Sequence, residues 1–170
     1  MMKITDKIKS VYEVAAGVRR WAQWVRMNYI PLTWASSRLE GLCAIVSYKL
    51  FLELKKDRFS PRFMMNCEHS FVELSGMVVD VTATQFSPAF PPVALAFGES
   101  RERMYEWGDV EGATTVLGIK RMPWLGWGDG TPTLPEYRDI MKRPIKKRRV
   151  TDRTVADSIT RTNRAVRIVQ

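Results

Sequence analysis

Apolar residues recur every three or four positions over residues 5–28. This spacing places them along one face of a helix, so it predicts an amphipathic helix near the N-terminus. Thr5 can cap its start, and Pro31 prevents it from continuing. Three arginines lie among its tryptophans, and we expect their stems to cover the indole rings: Arg19, Arg20 and Arg26 beside Trp21 and Trp24. A helix that binds a membrane surface or a partner is the alternative interpretation.

A second apolar pattern at helical spacing begins at about Leu39 or Leu42 and ends at Lys56. Ser37 and Glu40 before it fit a capping box, in which two side chains bond to backbone N–H groups at a helix start. The inward face of this second helix is predicted to carry Cys43, Ser47, Leu50 and Leu54. The pattern therefore places Cys43 in the first or second turn of the helix.

Beyond residue 60 the chain changes to short runs rich in β-branched and aromatic residues, which predict strands. These predicted strands cover residues 61–66, 69–74, 77–83 and 93–97. Ser75 and Gly76 suit a tight hairpin turn between the two middle strands. With that turn, His69 lies opposite Thr82 and is the diagonal neighbour of Asp80, within reach of a hydrogen bond. The pattern predicts a histidine oriented by an aspartate.

Farther along, the tripeptide Trp-Gly-Asp occurs at residues 107–109 and 127–129, which is too few copies for a repeat array, and we interpret both as turns. Helices are predicted over residues 134–142 and, weakly packed, 151–169. The predicted fold class is α+β, with an N-terminal helix, a helix bearing Cys43 packed on an antiparallel sheet, and a C-terminal extension.

Positive charge is concentrated near the C-terminus. The chain of 170 residues has a net charge of +9, and residues 138–170 hold eleven Lys and Arg against three Asp, a net charge of +8. We therefore predict one domain over residues 1–137 and a basic C-terminal extension over residues 138–170. The extension has two interpretations: a segment that binds nucleic acid or an acidic partner, or a solvated, partly disordered tail.

Composition narrows the class of protein. With 45% hydrophobic residues the chain can bury a core. No apolar run approaches the roughly 18 residues of a transmembrane helix, and the N-terminus is too charged for a signal peptide. A soluble, cytoplasmic protein is predicted. Its two cysteines, Cys43 and Cys67, are too few for a disulfide framework, so both are expected to be free thiols.

Cys43, His69 and Asp80 together have the residue types and order of a thiol catalytic triad. A helix N-terminus favours a thiolate, and free N–H groups there can stabilise an oxyanion. The only histidine of the chain follows on a strand and can take the thiol proton. Asp80 on the next strand can fix the imidazole tautomer.

Three quoted segments carry a resemblance. GLCAIVSYKLFLEL resembles the nucleophile helix, EHSFVEL the histidine strand and VVDVTATQF the aspartate strand of papain-like thiol enzymes of the transglutaminase-like branch, in particular small bacterial and phage members. The resemblance implies that Cys43 is the nucleophile, His69 the base and Asp80 the orienting residue. The pattern departs at Ala44, where many transglutaminases have an aromatic residue. Hydrolysis, deamidation and acyl transfer therefore all stay open as the reaction on a peptide or protein amide.

Three other interpretations remain. In the first, Cys43 is a small buried residue and Asp80 a turn-end carboxylate, with no chemistry. Cys43, Cys67, His69 and Asp80 offer four zinc ligands, but without a second histidine or a Cys-x-x-Cys pair we predict no metal and no cofactor. The last alternative is a non-enzymatic module that binds nucleic acid or protein through its basic C-terminal segment.

Overall fold

The fold is α+β, with helices on both faces of one antiparallel sheet. The computed structural model describes residues 5–29, 39, 42–65, 69–104, 114–115 and 134–168. Its helices are α1 (Asp6–Tyr29), α2 (Cys43–Lys56), α3 (Gly98–Arg103), α4 (Leu134–Lys142) and α5 (Asp152–Ile168). Its strands are β1 (Arg62–Met65), β2 (Ser70–Leu74), β3 (Met77–Asp80), β4 (Ala94–Phe97) and β5 (Thr114–Thr115). The strands form one sheet in the order β4-β3-β2-β1-β5.

The β2–β3 hairpin has the predicted register. Val72 pairs with Val79, and Leu74 pairs with Met77. Ser75 and Gly76 form the turn with φ angles of 52° and 76°. Positive φ at both central residues is what a type I′ turn requires, and this turn matches the twist of the flanking strands. The hairpin brings the start of β2 and the end of β3 to the same end of the sheet.

The sheet buries apolar side chains on both faces. One face carries Val72, Val79 and Leu95, which share a core with α1 and α2. The opposite face carries a second buried cluster, formed by Phe71, Val78, Ala94 and Ala96 of the sheet with Ala165 and Val166 of α5. Because β2 and β3 are covered on both sides, every residue of both strands is buried.

Helix α5 covers the β4 edge of the sheet and is not the weakly packed helix that its sequence predicts. Its early residue Val155 belongs to the core of α1 and α2, whereas Ala165 and Val166 belong to the core of the other face. Thr162 Oγ1 accepts a hydrogen bond from the Leu95 N–H at 3.3 Å. Polar side chains of α5 thus satisfy an edge strand that would otherwise present unpaired backbone groups.

Between α4 and α5 the chain passes across α1. We call residues 143–150 the strap. Gly17 of α1 allows the close approach, because a Cβ at that position would lie 3.2 Å from both the Ile145 side chain and the Lys146 carbonyl oxygen. The strap and α5 are therefore packed parts of the fold. Helix α4 runs through residues 137 and 138, where the domain boundary is predicted; the boundary itself stays a prediction.

Other predictions have mixed outcomes. The helices expected over residues 5–28 and 134–142 are confirmed, while α3 and β5 were not expected. Ser37, Glu40, Cys67 and the two Trp-Gly-Asp segments lie outside the described residues. Within the described part of the chain, no helix combines the length and the apolar character needed to span a bilayer.

Candidate active site

Cys43 is the first residue of α2, with Leu42 as the residue that precedes the helix. The first i→i−4 bond runs from the Val46 N–H to the Leu42 carbonyl at 3.0 Å. The N–H groups of Cys43, Ala44 and Ile45 therefore lie ahead of the intrahelical bonds, where the helix end carries partial positive charge. The Cys43 side chain is a free thiol on a half-buried residue, so it is both held by the fold and within reach of small reagents.

A polar contact couples α2 to β2 beside the thiol. Ser47 lies one turn after Cys43, and its Oγ donates to the Ser70 carbonyl at 2.7 Å. Ser70 follows His69 directly, so this bond sets the start of β2 against the start of α2. The Cys43 thiol lies near enough to the His69 imidazole to raise the pKa of His69. The structure thus brings together the two residues that the sequence separates by a loop and a strand.

Asp80 holds the other side of the imidazole. Its Oδ2 lies 2.7 Å from His69 Nε2, and both residues are almost fully buried. The second oxygen, Oδ1, accepts bonds from the Thr82 N–H at 2.6 Å and from Thr82 Oγ1 at 2.8 Å. Both carboxylate oxygens are therefore engaged, which fixes the plane of the carboxylate and places a proton on Nε2.

Thr82 does more than the sequence predicts for it. The sequence places Thr82 only as the residue opposite His69, and the structure shows that it orients the Asp80 carboxylate through two hydrogen bonds. The bond from its N–H to Asp80 Oδ1 is an Asx turn, so Asp80 is also the turn-end carboxylate of the alternative interpretation. The Asp-x-Thr spacing is the sequence signal for this motif, because short polar side chains bond to backbone two residues away.

Gln85 joins the site from the 3₁₀ turn Ala83–Gln85 that follows β3. Its Nε2 lies 3.1 Å from His69 Nδ1. The Gln85 amide nitrogen donates to Nδ1 when the imidazole is neutral with its proton on Nε2; when Nδ1 is protonated as well, only the amide oxygen of Gln85 can accept from it. The sequence motif includes Gln85 but does not indicate which atom it contacts, because the 3₁₀ turn sets its position.

Two aromatic rings enclose the imidazole. Phe71 is stacked with it at a ring-centroid distance of 6.1 Å, and Phe86 meets it edge-on at 4.8 Å. These rings lower the local dielectric and strengthen the charge interactions of His69.

Burial by itself lowers the pKa of His69, but the charge of Asp80 and the contacts with Asp80 and Cys43 oppose this effect and raise the pKa to about 9. The imidazole therefore retains a second proton at neutral pH.

Arg19 of α1 is a buried cation behind Asp80. Its guanidinium Nη1 donates to the Val81 carbonyl at 2.5 Å, one residue after Asp80. Burial lowers the pKa of Arg19, and the charge of Asp80 opposes that effect. This corrects the expectation that Arg19 covers tryptophans at the surface. A sequence signal exists, because Arg19 lies at helical spacing between the buried Ala15 and Ala22.

The arrangement does not match a metal centre within the described residues, where no group of three or more His, Cys, Asp and Glu side chains is arranged to hold a metal ion. His69 Nε2 and Asp80 Oδ2 point at each other. Cys67, the fourth predicted zinc ligand, lies outside the described residues.

Comparison with known proteins adds no further identification. No protein-family model, curated protein or solved structure matches the chain. The family resemblance therefore rests on the motif residues themselves, and the chemistry on the geometry of Cys43, His69 and Asp80.

Proposed function

We propose that this protein is a papain-like thiol enzyme of the transglutaminase-like branch that acts on an amide bond of a peptide or protein. One observation carries the proposal: His69 is hydrogen-bonded to the buried carboxylate of Asp80, and Cys43 at a helix start lies near enough to the imidazole to raise its pKa. A buried histidine with only a structural role needs just one hydrogen-bond partner. A half-exposed thiol, an imidazole and an oriented carboxylate in series form the set needed for covalent catalysis.

The reaction begins with Cys43 as a thiolate paired with the His69 imidazolium. His69 Nε2 is bonded to Asp80, so His69 Nδ1 is the nitrogen that exchanges a proton with the thiol and the leaving group. The thiolate attacks the amide carbonyl and forms a C–S bond, while the carbonyl oxygen takes up negative charge. In this proposal, N–H groups at the start of α2 stabilise that oxyanion. Nδ1 then protonates the departing nitrogen, the C–N bond breaks, and a thioester remains on Cys43.

The second half-reaction consumes the thioester. A water or an amine loses a proton to Nδ1 and attacks the acyl carbon, and the C–S bond breaks to return Cys43 to the thiolate. Water gives hydrolysis of a peptide bond or deamidation of a side-chain amide. An amine gives transfer. The same three residues serve all outcomes, because only the leaving group and the acceptor differ.

The first experiment is the pH dependence of Cys43 alkylation by iodoacetamide, located by mass spectrometry of the peptide that contains it. We expect Cys43 to be alkylated readily at neutral pH in the wild type, because His69 can take the thiol proton. The His69→Ala variant should lose this reactivity, since no imidazole is then present to take the proton. Cys67→Ser serves as the matched control and should leave the profile unchanged.

If Cys43 is inert, or if its profile is the same with and without His69, the enzyme proposal fails. If the thiolate–imidazole pair is present, a library of glutamine-containing peptides with a fluorescent amine separates the reactions. Peptide cleavage indicates hydrolysis, ammonia release indicates deamidation, and incorporation of the amine indicates transfer. Cys43→Ala should abolish whichever product appears.

A further inference from the structure

The strap, residues 143–150, is held against the rest of the protein largely through its backbone. The Arg20 guanidinium donates to the Lys146 carbonyl, and Lys49 Nζ donates to the Arg143 carbonyl at 3.0 Å. The Val150 N–H donates to Glu13 Oε1 at 3.0 Å. Because these anchors use main-chain atoms, they fix the course of the strap while leaving most of its charged side chains directed to solvent.

Two of the strap cations have partners. The Arg143 guanidinium lies 3.6 Å from the centroid of the Trp24 ring, a cation–π contact. Lys147 pairs with Asp57. The other three are exposed, and the described part of the chain offers none of them an ion pair: Lys146, Arg148 and Arg149. We call these three residues the basic patch.

The patch lacks the apolar side chains that a protein or membrane contact needs. Ile145 is turned toward Gly17 in the interior, and Val150 packs against the core. Among the described residues, the large hydrophobic side chains that are exposed are Met27 and Ile168, outside the strap. Protein interfaces have an apolar centre, and helices that lie on membranes insert an apolar face. Neither feature is present among the described residues of the strap.

We propose that the basic patch binds the phosphate backbone of nucleic acid without reading its sequence. Three cations within four residues of a pre-ordered segment can neutralise phosphates and release counterions. The guanidinium groups of Arg148 and Arg149 suit paired hydrogen bonds to phosphate oxygens, and the Lys146 ammonium adds a point charge. Since the strap is already anchored, binding does not require the ordering of a disordered tail. This surface is separate from the Cys43 site, and the inference does not depend on the proposed enzyme activity.

The test measures fluorescence anisotropy of a labelled DNA duplex of about 20 base pairs and mixed sequence, between about 50 and 200 mM salt. Wild-type protein should bind, and log affinity should fall linearly with log salt. The variant Lys146→Gln, Arg148→Gln, Arg149→Gln should reduce that slope by about 3, roughly one for each cation removed. The paired variant Arg148→Lys, Arg149→Lys keeps the charge and should retain the wild-type slope.

A matched variant removes the same charge from the outer face of α5: Arg161→Gln, Arg164→Gln, Arg167→Gln, all exposed. It should bind DNA with the wild-type slope. An equal reduction of the salt slope in both triple variants would show that DNA is attracted by net charge alone, and it would contradict the proposed binding at the basic patch. Absence of DNA binding, with association instead to vesicles of phosphatidylserine, would overturn it too. Cys43→Ala should bind as wild type does, so failure of the enzyme proposal leaves this test intact.

Discussion

His69 lies in the interior between two groups that favour its charged form, Asp80 and Cys43. A buried charge is costly unless it is paired and hydrogen-bonded. Here the carboxylate accepts bonds from His69 and Thr82, and Arg19 adds a second positive charge beyond it. Arg19, Asp80 and His69 thus alternate in charge, which lowers the cost of burying each of them. The same arrangement ties the protonation of His69 to the ionisation of Asp80.

The residue-level prediction with the most direct readout is Asp80→Asn. This change removes the negative charge but retains the size of the side chain. The lowering of the His69 pKa by burial then has little to oppose it, so the pKa should fall well below about 9. His69 is the only histidine in the chain, so its ring signals in ¹H–¹⁵N NMR are unambiguous. The exposed Asp152→Asn variant is the control. A titration near pH 9 in Asp80→Asn would contradict the assignment of the charge partner.

The same pKa predicts how stability depends on pH. Because the folded pKa of His69 is raised above its ordinary value of 6.5, its contribution is fully present below about pH 6.5 and is lost as the pH rises through about 9. We expect the free energy of unfolding to fall by up to about 3 kcal/mol across this window, since a tenfold change in proton affinity is worth about 1.4 kcal/mol. Urea unfolding at several pH values measures it. His69→Gln should flatten the curve relative to wild type; an equal slope in both proteins would refute the prediction.

At the scale of elements, the site depends on where three elements end. Helix α2 begins at Cys43, β2 begins just after His69, and β3 ends at Asp80. The type I′ turn sets β2 against β3, and the Ser47–Ser70 bond sets α2 against β2. Helix α1 reaches the same point from the side through Arg19. The candidate site thus lies at the margin of the sheet and is held in place by contacts from the buried faces of α1 and α2.

The contribution of α1 can be tested with Arg19→Met. The substitution leaves the Val81 carbonyl without its donor and Asp80 without a neighbouring cation. We expect a loss of about 1–3 kcal/mol, the usual cost of an unsatisfied buried polar group, measured by thermal or urea unfolding. Arg19→Lys retains the charge and one donor, so it should recover part of the loss. Wild-type stability in Arg19→Met would mean that the contact from α1 to the end of β3 is unimportant.

At the scale of the whole molecule, the two apolar cores meet at α5. Val155 belongs to one core, and Ala165 and Val166 belong to the other. The same helix covers the β4 edge through Thr162. A helix within the basic C-terminal region is therefore also a structural element, because its buried stripe and its exposed arginines lie on opposite faces.

Deleting residues 151–170 should therefore abolish cooperative unfolding. The deletion uncovers apolar surface on both sides of the sheet and exposes an edge strand, so we expect binding of a hydrophobic dye and aggregation. Circular dichroism melting and size-exclusion chromatography measure the result. The variant with Gln at positions 161, 164 and 167 retains the buried stripe and should melt as wild type does. A deletion that unfolds cooperatively at the wild-type temperature would show that α5 is dispensable.

Much of the hairpin was predictable from sequence because its determinants are local. Runs rich in β-branched and aromatic residues predict the two strands, and Ser75–Gly76 sets the turn, so the register and the proximity of His69 to Asp80 follow. The position of Cys43 near a helix start follows from the apolar spacing that precedes Lys56. Order along the chain and residue type were enough to name the three members of the candidate site.

Tertiary structure alone decided the rest, because it depends on contacts between residues far apart in sequence. Arg19 meets the end of β3 across 62 positions, and helical periodicity cannot say what a polar residue in an apolar stripe will contact. The basic segment predicted as an extension is an anchored strap followed by a packed helix. The missing side chain of Gly17 leaves room for the strap, and α5 bonds to the edge strand β4. Local patterns determined which elements form, and packing determined which residues surround the imidazole.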